Sequence, residues 1–147
     1  RQKMIIRGWK IADNEVIEAL ERECFKTPWT REMLDGSFTL NNFAGFIADE
    51  NGSVAGYIGV IYDEWDGEIL NVAVRESERK KGYGKALMQT ALDFLKEKGK
   101  ENVFLEVRRG NIVAQNLYFS LGFTKIGERK KYYENTEDAF VLGKKLR

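Results

Sequence analysis

The sequence predicts an α/β protein in which a mixed β-sheet carries helices on its faces, and three observations support that class. Two β-branched and aromatic runs, Phe43 to Asp49 and Val54 to Tyr62, flank the tight-turn pair Asn51-Gly52. Apolar runs at 68–75 and 103–107 alternate with stretches whose apolar residues recur at helical spacing. Strands then stand before, between and after the helices, which implies a mixed sheet. The 147 residues fit a single domain, 1–147, and a 43% hydrophobic share is too high for a disordered chain.

Met4-Ile5-Ile6-Arg7 reads as a first short strand, with Arg1 to Lys3 as a frayed end. Asp13 offers an N-cap to a helix whose apolar face includes Val16, Ile17 and Leu20. Phe25 to Thr30, with Pro28 inside, breaks that helix, and a second short one through Met33 and Leu34 ends near Gly36. The hairpin follows, its turn at Glu50 to Ser53, where Asn-Gly supplies the left-handed backbone of a two-residue connection. Asp66-Gly67 marks the next turn, and Glu68 to Arg75 reads as a near-continuous apolar strand. After a charged loop, Leu87, Ala91, Phe94 and Leu95 form a helical stripe closed by Gly99. Val103 to Val107 is another strand; Ala114, Leu117, Tyr118 and Leu121 form one more helical stripe; Gly122 precedes two final strands.

Composition removes whole classes of chemistry. With 24 Lys+Arg against 23 Asp+Glu, the net charge of +1 gives no global field toward nucleic acid or an anionic membrane. The single cysteine, Cys24, allows no disulfide framework and no multi-cysteine metal site; it reads as a buried small hydrophobe. No signal peptide or long apolar run is apparent, so a reducing cytoplasm is the expected setting. No histidine occurs, which removes imidazole ligands and imidazole bases. No metal is therefore expected, and general-base work falls to carboxylates, Tyr, Lys or water.

The segment Arg79-Lys80-Lys81-Gly82-Tyr83-Gly84-Lys85 lies between an apolar strand and an amphipathic helix. Glycines let backbone approach an anion closely, and free amides at a helix start favour a pyrophosphate, with Lys80, Lys81 and Lys85 adding mobile charge. The third glycine of a dinucleotide fingerprint and the Gly-Lys-Ser/Thr of a nucleotide P-loop are both missing, so another pyrophosphate cofactor fits better. A solvated loop before a helix is the plainer alternative. Glu106 interrupts the apolar run Val103 to Val107, and a buried carboxylate needs a partner or a use. It reads either as half of an ion pair with Arg108 or another base, or as a general base. Asn71 inside Ile69 to Val74 reads as satisfying a sheet irregularity, and Tyr118 either as a core phenol or as a proton donor to a leaving thiolate.

Together these segments resemble the GNAT N-acetyltransferases, and more narrowly the RimI-like enzymes that acetylate the N-terminal alanine of a small-subunit ribosomal protein. Arg79-x-x-Gly82-x-Gly84 is similar to the family's pyrophosphate loop, and Leu70 to Val74 to the strand that pairs with the pantetheine arm. Leu105-Glu106-Val107-Arg108 with Asn111, Leu117 to Phe123, Pro28-Trp29 and Tyr132-Tyr133 are closer to the RimI-like pattern; Arg109-Gly110 departs from it, since small residues are common there. The resemblance implies a GNAT-like fold with a central, largely antiparallel mixed sheet, and acetyl-CoA as cosubstrate. It implies Glu106 as base and Tyr118 as proton donor. Val72, Ala73, Val74, Arg79, Lys80, Lys81, Gly82, Tyr83, Gly84, Lys85 and Asn111 are the implied cofactor-binding residues. Trp29, Tyr132 and Tyr133 would bind the acceptor, a protein or peptide N-terminus, and the acidic pairs Asp63-Glu64 and Glu137-Asp138 are candidates to attract a basic acceptor tail.

Overall fold

The computed structural model describes residues 3–147. Among them one sheet is built from β1 (Met4–Gly8), β2 (Phe43–Glu50), β3 (Ser53–Tyr62), β4 (Asp66–Val74), β5 (Asn102–Arg108), β6 (Thr124–Tyr133) and β7 (Glu137–Lys145). The spatial order is β1-β2-β3-β4-β5-β7-β6. Helices α1 (Asn14–Cys24), α2 (Arg31–Ser37), α3 (Tyr83–Glu97) and α4 (Ile112–Ser120) occupy the connections. All neighbouring pairs are antiparallel except β4 and β5. The expected mixed, largely antiparallel sheet with helices on its faces is therefore present.

Local chemistry accounts for most boundaries. Glu50 and Ser53 close the β2–β3 hairpin around Asn51 (φ 54°) and Gly52 (φ 88°), both left-handed as a two-residue turn requires. Thr30 caps α2 by accepting from the Met33 amide at 3.2 Å. Three expectations need correction. The frayed end falls partly on Arg1 and Gln2, outside the described residues, but Lys3 is held on the hairpin: its carbonyl accepts from the Asn51 amide at 3.1 Å. Asp13 precedes α1 without capping it through its side chain; its carboxylate takes two 2.9 Å bonds from Arg7 and one of 2.8 Å from the Lys10 amide. Asp66 and Gly67 belong to β4, and the turn lies before them, where Asp63 Oδ1 accepts from the amides of Trp65 (2.8 Å) and Asp66 (2.7 Å).

The two faces of the sheet bury different clusters. On one, Leu87, Met88, Ala91 and Leu95 of α3 pack on Ile58, Val60, Val103 and Leu105, joined by Tyr118 and Phe123. On the other, Ile17, Leu20 and Leu34 of α1 and α2 cover Ile47, Tyr57 and Ala73. Trp9 anchors the second cluster, with edge-on contacts to Phe38, Phe43 and Tyr57 at centroid distances of 5.9, 5.4 and 5.5 Å, and its indole N–H donates to Asn14 Oδ1 at 2.7 Å.

What positions the site is the parting of β4 from β5. Their parallel pairing covers only Asp66 to Glu68 against Asn102 to Phe104. Beyond it β4 carries a bulge, since Val60 pairs with Ile69 while Gly59 pairs with Asn71, leaving Leu70 as the extra residue. A bulge bends and twists the strand that contains it. From there the two facing strand edges diverge toward the C-terminal end of β4.

The packing of Trp9 yields a direct test. A Cβ on Gly45 of β2 would lie 2.3 Å from Trp9 Cε3, a contact the large, fully packed ring cannot relieve by a small shift. Gly45→Ala should lower stability by about 1–3 kcal/mol, read as a fall of roughly 2–10 °C in melting temperature. An unchanged melting temperature would mean that the Trp9 cluster yields freely.

Candidate active site

A cavity of ≈ 740 Å³ occupies the gap between β4 and β5. Ile69 to Val72 line one wall, Glu106 to Arg108 the other; Phe25 to Thr27 and Trp29 of the α1–α2 loop and Tyr132 to Glu134 of the β6–β7 hairpin close the far side. Asn111, Ala114 and Tyr118 of the α4 segment complete it.

Strand β5 alternates. Val103, Leu105 and Val107 are buried against α3 and α4, whereas Phe104, Glu106 and Arg108 point to the opposite face. Glu106 is thus not sunk in an apolar core; it stands half-buried at the edge of the gap. Its carboxylate pairs with Arg129 of β6, 2.6 Å away, and not with Arg108, which is bound bidentately to Glu134 at 2.6 Å through both nitrogens and to Glu137 at 3.2 Å. Tyr118 reaches the same cavity from the helical face and is 8% exposed. Burial alone pushes its phenol up to about 12, so it is protonated throughout the neutral range. Tyr133 is pushed up to about 12 by burial and the nearby Glu106 carboxylate, and Tyr132 is raised by the same two causes. Desolvation, with Glu106 close by, also raises Glu68, the β4 residue at the point where the strands part.

The loop before α3 has the form of an anion cradle. Lys80 (φ 66°) and Gly82 (φ 82°) both adopt the left-handed conformation, and α3 begins with no side-chain cap, leaving its first amides to a ligand. Lys80 and Lys85 are exposed. Lys81 is not mobile charge, as its ammonium lies 2.5 Å from Glu78 and 3.5 Å from Glu50. Arg79 is also engaged, donating from Nε to the Val74 carbonyl at 3.0 Å.

Known proteins resemble this chain in sequence and in fold. The profile of the Acetyltransferase (GNAT) family matches residues 14–123. The chain belongs to the GNAT acetyltransferase family. An uncharacterized N-acetyltransferase of Methanocaldococcus jannaschii is 34% identical over 143 residues, covering 97% of this chain and 92% of the relative. A putative ribosomal protein bS18-alanine N-acetyltransferase of Bacillus subtilis is 31% identical over 144 residues, covering 97% and 95%. Among solved structures, the ribosomal-protein-S18-alanine N-acetyltransferase of Escherichia coli superimposes with a TM-score of 0.92 at 25% identity, over 98% of this chain and 94% of that one.

Within this GNAT enzyme the gap gathers Glu106, Tyr118, Asn111, Val72, Trp29, Tyr132 and Tyr133 around one cavity. It does not gather Ala73, Val74 or the loop from Arg79 to Lys85 there; these lie farther along β4 and at the start of α3. Asn111 spends its side chain as the α4 cap, accepting from the Ala114 amide at 3.1 Å. Cys24 is only half-buried and lines the cavity, its Sγ 3.5 Å from Arg79 Nη2, so it is not the enclosed hydrophobe the sequence suggests. Glu137 and Asp138 are engaged internally by Arg108, the Gly110 amide, Lys130 and the Lys131 amide, which removes them as a free acidic patch.

The residue that sequence reasoning misses is Glu21. It is 1% exposed; Oε1 accepts from the Trp29 amide at 2.8 Å, and Oε2 from Asn71 Nδ2 at 2.9 Å and from the Tyr57 hydroxyl. Asn71 beside the bulge therefore serves a side chain of α1, and its own Oδ1 is buried without a partner. A carboxylate at the i+4 position from Ile17, beside Leu20 on the apolar stripe of α1, was the available signal.

The Tyr118 shift carries a stability consequence. The folded chain holds this proton more tightly than the unfolded chain, whose phenol titrates near 10. The contribution is complete below pH of about 10 and is lost as the pH rises toward about 12, up to roughly 2–3 kcal/mol. Urea midpoints followed from about pH 8 to about pH 12 should fall through this window, and Tyr118→Phe should flatten part of the fall. Parallel curves for the two proteins would assign the loss to other groups.

Proposed function

We propose that this GNAT enzyme transfers the acetyl group of acetyl-CoA to the α-amine of a protein N-terminus, an alanine of a small-subunit ribosomal protein being the acceptor its relatives suggest. The observation that carries the reading is the meeting of Glu106 and Tyr118, from opposite faces of the sheet, in the single gap between β4 and β5. A ribosomal acceptor is in keeping with a cytoplasmic setting.

The residues present fit a coenzyme A thioester. Beyond Glu68 and Phe104 the facing edges of β4 and β5 have no strand partner, so apart from the Val74 carbonyl, which Arg79 engages, their backbone groups suit an extended pantetheine arm. The uncapped start of α3 and the left-handed loop before it suit a pyrophosphate. When bound, acetyl-CoA supplies an activated acyl group. Glu106 takes the proton of the incoming amine, directly or through one water, while Arg129 holds one of its carboxylate oxygens. A backbone amide of the Val72 to Val74 segment would supply the hydrogen bond to the acyl oxygen where negative charge develops. Tyr118, protonated at neutral pH, returns a proton to the departing sulfur. An α-amine needs little help from a base: at a reference pKa of ~7.7–8.0 about a tenth of it is neutral at pH 7, against well under a thousandth of a lysine at ~10.4. Trp29, Tyr132 and Tyr133 line the acceptor side, where aromatic faces grip an extended backbone without demanding one side chain.

Two measurements test this assignment. Glu106→Gln keeps the shape and should leave coenzyme A affinity nearly intact while lowering kcat by roughly 10²–10⁴-fold; wild-type turnover with an unchanged pH profile would assign the base elsewhere. The acceptor is decided by two peptides, one with a free N-terminal alanine followed by basic residues, the other blocked at its α-amine and carrying internal lysines. Intact-mass analysis should find acetyl on the first. A comparable rate on the second would move the enzyme to lysine or small-amine acceptors.

A further inference from the structure

A buried carboxylate away from the reaction centre reaches the phosphate loop. Glu50, the last residue of β2, is 9% exposed, and it is engaged by Lys81 of the loop before α3 and by Tyr83, the first residue of that helix, with the Glu78 carboxyl also against it. The Tyr83 hydroxyl donates to its Oε2, and the Lys81 ammonium lies 3.5 Å from the same oxygen while binding Glu78 at 2.5 Å. At its other end the loop is tied to β4, where Arg79 Nε donates to the Val74 carbonyl at 3.0 Å. Between the two fastenings stand Lys80 and Gly82 in the left-handed conformation. For lysine this conformation costs about 1–2 kcal/mol and persists only where the surroundings over-determine it. A Cβ on Gly82 would meet nothing within 4 Å, so no close packing against that position holds the loop in its curve.

We propose that Glu50 is a positioning residue for coenzyme A: through Tyr83 and Lys81 it locks the Arg79–Lys85 loop in the shape that turns its amides toward a pyrophosphate. The inference rests on reading that loop as the coenzyme A site. A loop held in its binding conformation before the ligand arrives spares the ordering that binding otherwise requires, so releasing it weakens affinity without removing a ligand contact. The freed loop should cost about 3- to 10-fold in affinity, the equivalent of ordering one or two side chains. Because Tyr83 and Glu50 act through one bond, their effects should overlap rather than multiply.

The test uses the whole chain and coenzyme A. Calorimetric Kd values are measured for the wild type, Tyr83→Phe, Glu50→Gln and the double variant, with melting temperatures alongside. Each single variant should bind about 3- to 10-fold more weakly, and the double variant no more weakly than about the worse single one. In steady-state assays Glu50→Gln should raise KM for acetyl-CoA and leave KM for the acceptor peptide in place. Absence of coenzyme A binding by the wild type would overturn the reading of the loop itself. Wild-type binding together with a folded Tyr83→Phe or Glu50→Gln within twofold of it would overturn the latch, as would a parallel rise in both KM values, which marks general loosening. Either single variant suffices should the other fail to fold.

Discussion

The parallel contact between β4 and β5 lasts three residue pairs, and the rest of the molecule is arranged around its end. A continuous sheet would pair these two edges along their length and leave no opening. Instead, the Leu70 bulge bends β4 away, α4 covers one side of the gap, and the α1–α2 loop and the β6–β7 hairpin frame the other. The gap also joins the two faces of the sheet, which is why Tyr118, from a helix on one face, and Glu106, from a strand side chain on the other, share a cavity.

Holding such an opening requires polar groups in places where apolar ones pack more easily. Glu21 is the clearest instance. From α1 it draws on β3, β4 and the α1–α2 loop through three donors, and these bonds fix Trp29 and Asn71 beside the cavity. Taking away that acceptor would strand buried donors, each at a cost of about 1–3 kcal/mol. On the opposite wall Arg108 does comparable work: it grips Glu134, holding that carboxylate down to about 2, and stacks 4.3 Å from the Tyr133 ring. The hairpin it steadies carries Lys131, Glu134 and Asn135 in left-handed conformations.

Much of this is legible in the sequence, and the parts that are not share a reason. Asn51-Gly52 and the apolar stripe from Leu87 to Leu95 are local signals, and local signals survive as written. Glu106 and Tyr118 stand out because each breaks the pattern around it. Hidden are the long-range choices. Nothing near Glu106 in the chain announces that its cation is Arg129, because β7 lies between β5 and β6 and that order is set by packing. Lys81 reads as free charge for that reason only in part: Glu78, which binds it at 2.5 Å, is three residues away, while Glu50, at 3.5 Å, lies on β2. Asp66-Gly67 is a misreading of another sort, in which real turn chemistry sits three residues earlier, at Asp63.

One bond spans the mouth of the cavity. Thr27 Oγ1 of the α1–α2 loop donates to Glu134 Oε2 of the β6–β7 hairpin at 2.9 Å, joining the two segments that close the far side of the cavity. Its consequence is topological. The bond closes the rim of the cavity into a ring on this side, so that its two arms shift together or not at all.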